Sequence, residues 1–256
     1  MNSIESYTSM TGVLCSIAAS VMFISLYEIK KNKIDFSEGI TFLFIMLLGS
    51  QLSWAGIILS ANLNMSPKSE TCFNIFFLET IGFTIVYGCI FAKILHSNKY
   101  SPIQTIIPKL GDPVILKLLT GYIISIVCFI LLLVGSTFLY YHPKVVMVGS
   151  FHLCANMEFL QSLNIFFEGA ALISGFLVVS EIKNALISLK DNYWAFKSIG
   201  ILSILFCFYV FSPIIFDDNP ILNFIIRTGK IVAFNMIPLL LMVLPKLVPD
   251  ISIISK

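Results

Sequence analysis

Residues 79–96 read ETIGFTIVYGCIFAKILH, apolar enough to belong to a membrane span, yet with Glu79 at one end and Lys93 near the other. A charge in hydrocarbon is costly, so each needs a partner or a route to the interface. Fourteen residues at 1.5 Å rise per residue set the two about 21 Å apart along a helix. They cannot be each other's partner. The stretch therefore reads as a membrane-crossing helix with two separate polar sites, one toward each face, and following the apolar run back toward the N-terminus gives a span over 74–95.

The rest of the chain has the same character. Of its 256 residues, 57% are hydrophobic and 12% charged, with a mean hydropathy of +0.94. A soluble domain carries about a quarter charged residues, so the composition predicts a polytopic membrane protein. A span needs about 20 mostly apolar residues, and seven stretches qualify: 9–28, 39–61, 74–95, 114–140, 160–181, 195–216 and 224–245. Polar punctuation such as EIKKNKIDFSE, NLNMSPKSE and FDDNP separates them. The runs are continuously apolar and not alternating, which argues against a β-barrel. The expected fold is all-α, a single seven-transmembrane-helix domain over residues 1–256. The net charge of +2 gives no reason to expect nucleic acid as a partner. Phosphate loops, HExxH, CxxC and GxSxG patterns are missing, and His96, His142 and His152 lack metal-ligand spacing. No enzyme activity, metal or cofactor is expected.

Orientation follows from the positive-inside bias. With the N-terminus extracellular and the C-terminus cytoplasmic, Lys30, Lys31, Lys33, Lys99, Lys109, Lys183 and Lys190 fall in inner loops. The outer loops then hold Lys68 and Lys144, with Asp217 and Asp218 in the last. The first span has neither a cationic leader nor a small-residue cleavage site, and reads as an anchor. Cys15, Cys89, Cys128 and Cys207 fall inside spans, where they pack as small apolar residues. Cys72 and Cys154 alone lie in loops, both on the outer side, where disulfides persist. A bridge between them would tie the second outer loop to the top of the third span. The sequon Asn64-Met65-Ser66, followed by Pro67, is a candidate glycosylation site on the same side.

Glu79 lies about two turns below the outer end of its span, and Glu168 about as deep in the fifth. Arg227 and Lys230 lie in the outer half of the seventh. Two acids and two bases at similar depth suit a ligand-contact or gating network. They equally suit a self-neutralising ion-pair cluster with Arg227 snorkelling to the head groups. Lys93 faces a choice of inner-side acids, Glu28, Asp35, Glu38, Asp112, Glu181 and Asp191, and spacing does not choose among them. A lysine in a seventh span also suggests a retinal Schiff base. The third span, however, has no carboxylate in its middle, and Ile226 stands where microbial rhodopsins typically place an Asp.

Several segments, in order, resemble class C G-protein-coupled receptors of the GABA-B type. LGSQLSWAGIIL (48–59) and TCFNIFFLETIGFTIVYGCIFAKILHSN (71–98) are similar to the second and third spans. Within the latter, Cys72 opens the span, GFTIVYG (82–88) is its core and FAK (91–93) closes it. HLCANMEF (152–159) resembles the second outer loop, with Cys154 as the partner cysteine. LISLKDNYWAFKSIGILSILF (186–206) resembles the third inner loop and the start of the sixth span, with Asp191 at the acidic position. LMVLPKL (241–247) resembles the end of the seventh, with Pro245 and Lys246. The resemblance implies a receptor in the plasma membrane. Movement of its helices would signal to a heterotrimeric G protein, from a homodimer or a heterodimer with another class C receptor. It also implies an inactive-state ion pair between Lys93 and Asp191.

The sequence departs from this family in places. KDN at 190–192 replaces the usual NDS, and CFYVFSP (207–213) lacks the tryptophan of the glutamate-receptor branch. About nine residues precede the first span and about ten follow Pro245, so neither the two-lobed ligand-binding domain nor a cytoplasmic coiled coil is expected in this chain. The basic segments 30–33, 97–109 and 183–190 read as G-protein contacts or simply as topology signals. The alternative from another class is a seven-span transporter or channel. Against it, no internal repeat is visible, and an odd number of spans fits inverted repeats poorly.

Overall fold

A computed structural model describes residues 3–32, 40–63, 68–97, 121, 144–148, 151–155, 158–186, 190–215 and 220–247. They form α1 (Ser3–Asn32), α2 (Ile40–Ala61), α3 (Ser69–Ser97), β1 (Lys144–Val148), β2 (Phe151–Ala155), α4 (Glu158–Leu186), α5 (Lys190–Ile215) and α6 (Pro220–Leu247). All six of these helices are long and apolar enough to cross a membrane, which makes the chain a multi-pass membrane protein. The last three correspond to the expected fifth, sixth and seventh spans. The stretch expected to cross at 114–140 lies outside the described residues apart from Gly121, and so does Asn64.

Several helices begin well before the apolar stretch that reveals them. The hydrocarbon layer selects only the middle of a helix for apolarity, while its ends continue into the head-group region. Thus α3 begins at Ser69 and not near 74, with Glu70 in its first turn, where an acid suits the positive end of the helix dipole. Cys72 is consequently helical and not in a loop. The residues before α4 form a hairpin that the hydropathy pattern did not announce. KVVMV and FHLCA, rich in β-branched and aromatic residues, pair antiparallel with Val145 opposite Cys154.

Short links from α1 to α2, α2 to α3, α4 to α5 and α5 to α6 impose antiparallel neighbours within each of those pairs. α3 is the central element, packing against α2, α4, α5, α6 and β1, while α1 sits at the edge against α2 and α6. Phe166, Ile173, Ile204 and Phe211 project outward, while Ser50, Ser53, Thr80, Thr84, Ser198 and Ser212 are buried. This inversion of the soluble-protein pattern is what a bundle in lipid requires, because the polar groups can be satisfied only inside. The buried hydroxyls of Ser50, Thr80, Thr84 and Ser198 donate to backbone carbonyls one turn back in their own helices.

Lipid tails are as apolar as leucine, so close packing and polar contacts must hold such helices together. Small residues let α2 and α3 approach closely: a Cβ on Gly82 would lie 2.7 Å from the Gly49 carbonyl oxygen and 2.8 Å from the Ser53 backbone nitrogen. α1 and α2 are tied by a polar knot in which the Ser16 hydroxyl donates to Gln51 Oε1, while Gln51 Nε2 donates to the Ser16 carbonyl at 3.0 Å and to Ser20 Oγ at 3.3 Å. The GFTIVYG segment makes contacts on several sides. Gly82 meets α2, Phe83 stacks on Tyr87 and packs on Phe234 of α6, and the Tyr87 hydroxyl donates to the Ala171 carbonyl of α4.

Two apolar cores result. The larger includes Leu26, Leu43, Trp54, Phe83, Ile90 and Leu239, and the smaller joins Leu63, Cys72, Phe73, Phe76 and Leu160 beneath the hairpin, with Val145 and Cys154 against it.

Candidate functional site

A disulfide joins Cys72 to Cys154 with 5.8 Å between the Cα atoms, stapling β2 to the first turn of α3. It closes a loop of 82 residues. Loop-closure entropy sets a ceiling of about 4–5 kcal/mol for such a bridge, and spans already held in lipid leave less to gain. Cys154→Ser is therefore expected to lower the thermal midpoint in detergent, with Cys72→Ser/Cys154→Ser no worse than either single change. A larger loss in the double variant would show that the two thiols act separately.

Deeper in the bundle, the sequence sets a common level. Glu79, Glu168 and Lys230 each lie ten residues after the first residue of α3, α4 and α6, about 15 Å along each helix. Both α3 and α4 start at the hairpin, and the charge contacts place the start of α6 there too. Arg227 lies three residues before Lys230 and so shares its helix face.

The structure brings all four of these residues together. Arg227 donates to Glu79 Oε2 from Nη2 at 2.6 Å and from Nε at 3.2 Å. Lys230 Nζ lies 3.2 Å from Glu79 Oε1 and 3.1 Å from each oxygen of Glu168. Glu79, Glu168 and Lys230 are only 4%, 1% and 7% exposed, whereas the Arg227 side chain is 25% exposed and forms the open edge of the cluster. Two carboxylates against two cations leave no net charge. Burying ions is tolerable only when they are paired and their hydrogen bonds are satisfied, and here each carboxylate oxygen has a charged neighbour.

Two further residues complete the site. Asn164, one turn before Glu168, donates Nδ2 to Glu168 Oε1 at 2.9 Å, while its own buried Oδ1 lacks a partner among the described residues. From α5, Tyr209 presents its ring 4.4 Å from Lys230 Nζ, a cation–π contact. Asn164 had a visible signal, since an amide four residues before a membrane carboxylate is placed to hydrogen-bond to it. Tyr209 had none, because one aromatic among many in an apolar helix does not announce its facing.

Lys93 lies near the end of α3 and Asp191 at the start of α5, the ends away from the hairpin; their side chains lie outside the described residues. Among the described residues, no group of three or more His, Cys, Asp or Glu side chains could hold a metal ion. The arrangement contains acids, bases, an amide and a phenol ring, positioned to bind helices to one another by charge. No family model matches the chain, and no curated protein matches it.

Proposed function

We propose that this chain is a class C, GABA-B-like G-protein-coupled receptor of the plasma membrane, with the hairpin end extracellular and residues 114–140 as its remaining span. The observation that carries the reading is the staple between the first turn of α3 and the strand preceding α4, the pairing the resemblance expects at these two positions. Support also comes from the central placement of α3 and from GFTIVYG, whose side chains link α3 to its neighbours. Signalling proceeds by movement of α5 relative to α3 at the cytoplasmic end. There Lys93 and Asp191 form the restraint that favours the inactive state, and the inner loops receive the heterotrimeric G protein.

Expression with a G-protein dissociation reporter tests this. An interfacial ion pair contributes up to about 1 kcal/mol, so Asp191→Asn is expected to raise basal signalling by up to about five-fold, and Lys93→Gln to do the same. Unchanged signalling from a normally surface-expressed Asp191→Asn variant would remove the restraint from the mechanism. Silence with every G-protein subtype, together with ion or solute flux in liposomes, would replace the receptor reading with a transporter or channel.

A further inference from the structure

The charges of the buried network are divided unevenly among its helices. Both cations belong to α6, while the anions belong to α3 and α4. Lys230 Nζ touches both carboxylates at almost equal distance, 3.2 Å from Glu79 and 3.1 Å from Glu168. One ammonium is therefore shared by two like-charged groups that would repel in a low-dielectric interior. We propose that Lys230 is the keystone of a latch at the hairpin end, and that withdrawal of α6 from Glu79 and Glu168 is the opening step.

Withdrawal has two effects at once. It frees α6 from α3 and α4, and it leaves Glu79 and Glu168 facing each other without a cation, so those helices separate. Arg227 adds a second tie, to α3 alone and at the exposed edge. Tyr209 couples α5 to the same event, because its ring loses the cation above it. Cys72 and Glu79 are seven residues apart and share one face of α3. A partner that displaces the hairpin therefore moves, through the disulfide, the helix face that holds the latch. The purpose of the device rests on the receptor reading; its mechanics do not.

Distances measured between spin labels in nanodiscs test it, with labels on exposed positions near the hairpin end of α3 (Asn74), α4 (Ser162) and α6 (Ile225). Cys15, Cys89, Cys128 and Cys207 are replaced and the disulfide is kept. Lys230→Met is expected to lengthen the α3–α4 and α3–α6 distances by about 2 Å and to lower the thermal midpoint by about 10 °C. Glu168→Gln/Lys230→Met, which restores neutrality, is expected to return the α3–α4 distance and to recover part of the stability. Unchanged distances in Lys230→Met, or a double variant that loses the sum of the two single losses, would overturn the keystone. Should Lys230→Met fail to reach the membrane, Glu168→Gln alone decides: its α3–α4 distance is expected to stay the same or shorten, and lengthening would overturn the proposal. These distances do not depend on any G-protein readout, so silence in the reporter and failure of the latch are separate outcomes.

Discussion

Glu79→Gln is expected to be more damaging than either Glu168→Gln or Arg227→Met. Glu79 is the only network residue that pairs with both cations, and it does so through different oxygens. Removing its charge leaves the site with an excess positive charge and takes from Arg227 its direct acidic contact. Breaking a buried pair from one side costs about 3–5 kcal/mol, because the surviving partner stays desolvated. Glu168→Gln is milder, since Lys230 keeps Glu79 and Asn164 can still donate to the new amide oxygen. Arg227→Met should be mildest: the arginine is partly exposed, and Lys230 remains to neutralise Glu79. Thermal midpoints in detergent check the order, and equal losses for Glu79→Gln and Arg227→Met would contradict the assignment of Glu79 as the shared acid.

The second large effect concerns helix packing. Gly82→Ala is expected to cost about 1–3 kcal/mol, and Gly82→Leu to prevent assembly, because the added carbon meets not only the Ser53 hydroxyl but also backbone atoms of α2, at 2.7 and 2.8 Å, which cannot rotate away. The two helices must part, and close approach is much of what holds helices together in lipid. Trimming the neighbour with Ser53→Ala should not rescue the variant, since the Gly49 carbonyl and the Ser53 nitrogen remain in place. Gly200 and Gly229 provide controls. A Cβ at either position would meet nothing within 4 Å, so Ala there is tolerated or stabilises the helix by up to about 1 kcal/mol. The surface-expressed fraction and the melting temperature of the three Ala variants test the contrast.

These sites differ in how far they can be read from residues alone. Depth along a helix follows from counting, which is why Glu79 separates from Lys93 and aligns with Glu168 and Lys230 before any coordinates. Facing around the helix does not follow. A helix apolar on every side carries no stripe to orient it, so the chain itself could not say that Lys230 serves two acids, that Tyr209 lies against it, or that Gln51 reaches Ser16 and Ser20. Gly82 is visible as a glycine in a span, but its necessity comes from Gly49 and Ser53 on another helix. The hairpin escaped because its strands are five residues each, too short for a hydropathy pattern tuned to spans.

The polar contacts around Lys230 and the disulfide all lie toward the hairpin. Leu26, Leu43, Ile90, Leu239 and Val243, toward the other end, belong to the larger apolar core. Apolar contacts can be exchanged for lipid tails at little cost, whereas the ion pairs cannot. The bundle is thus built like tongs. With the network closed it is pinned at the hairpin end, and thermal excursions of α6, which carries both cations, should grow with distance from the pin. Amide exchange should accordingly be slowest near Glu79, Glu168 and Lys230 and fastest at the far tips of the same helices.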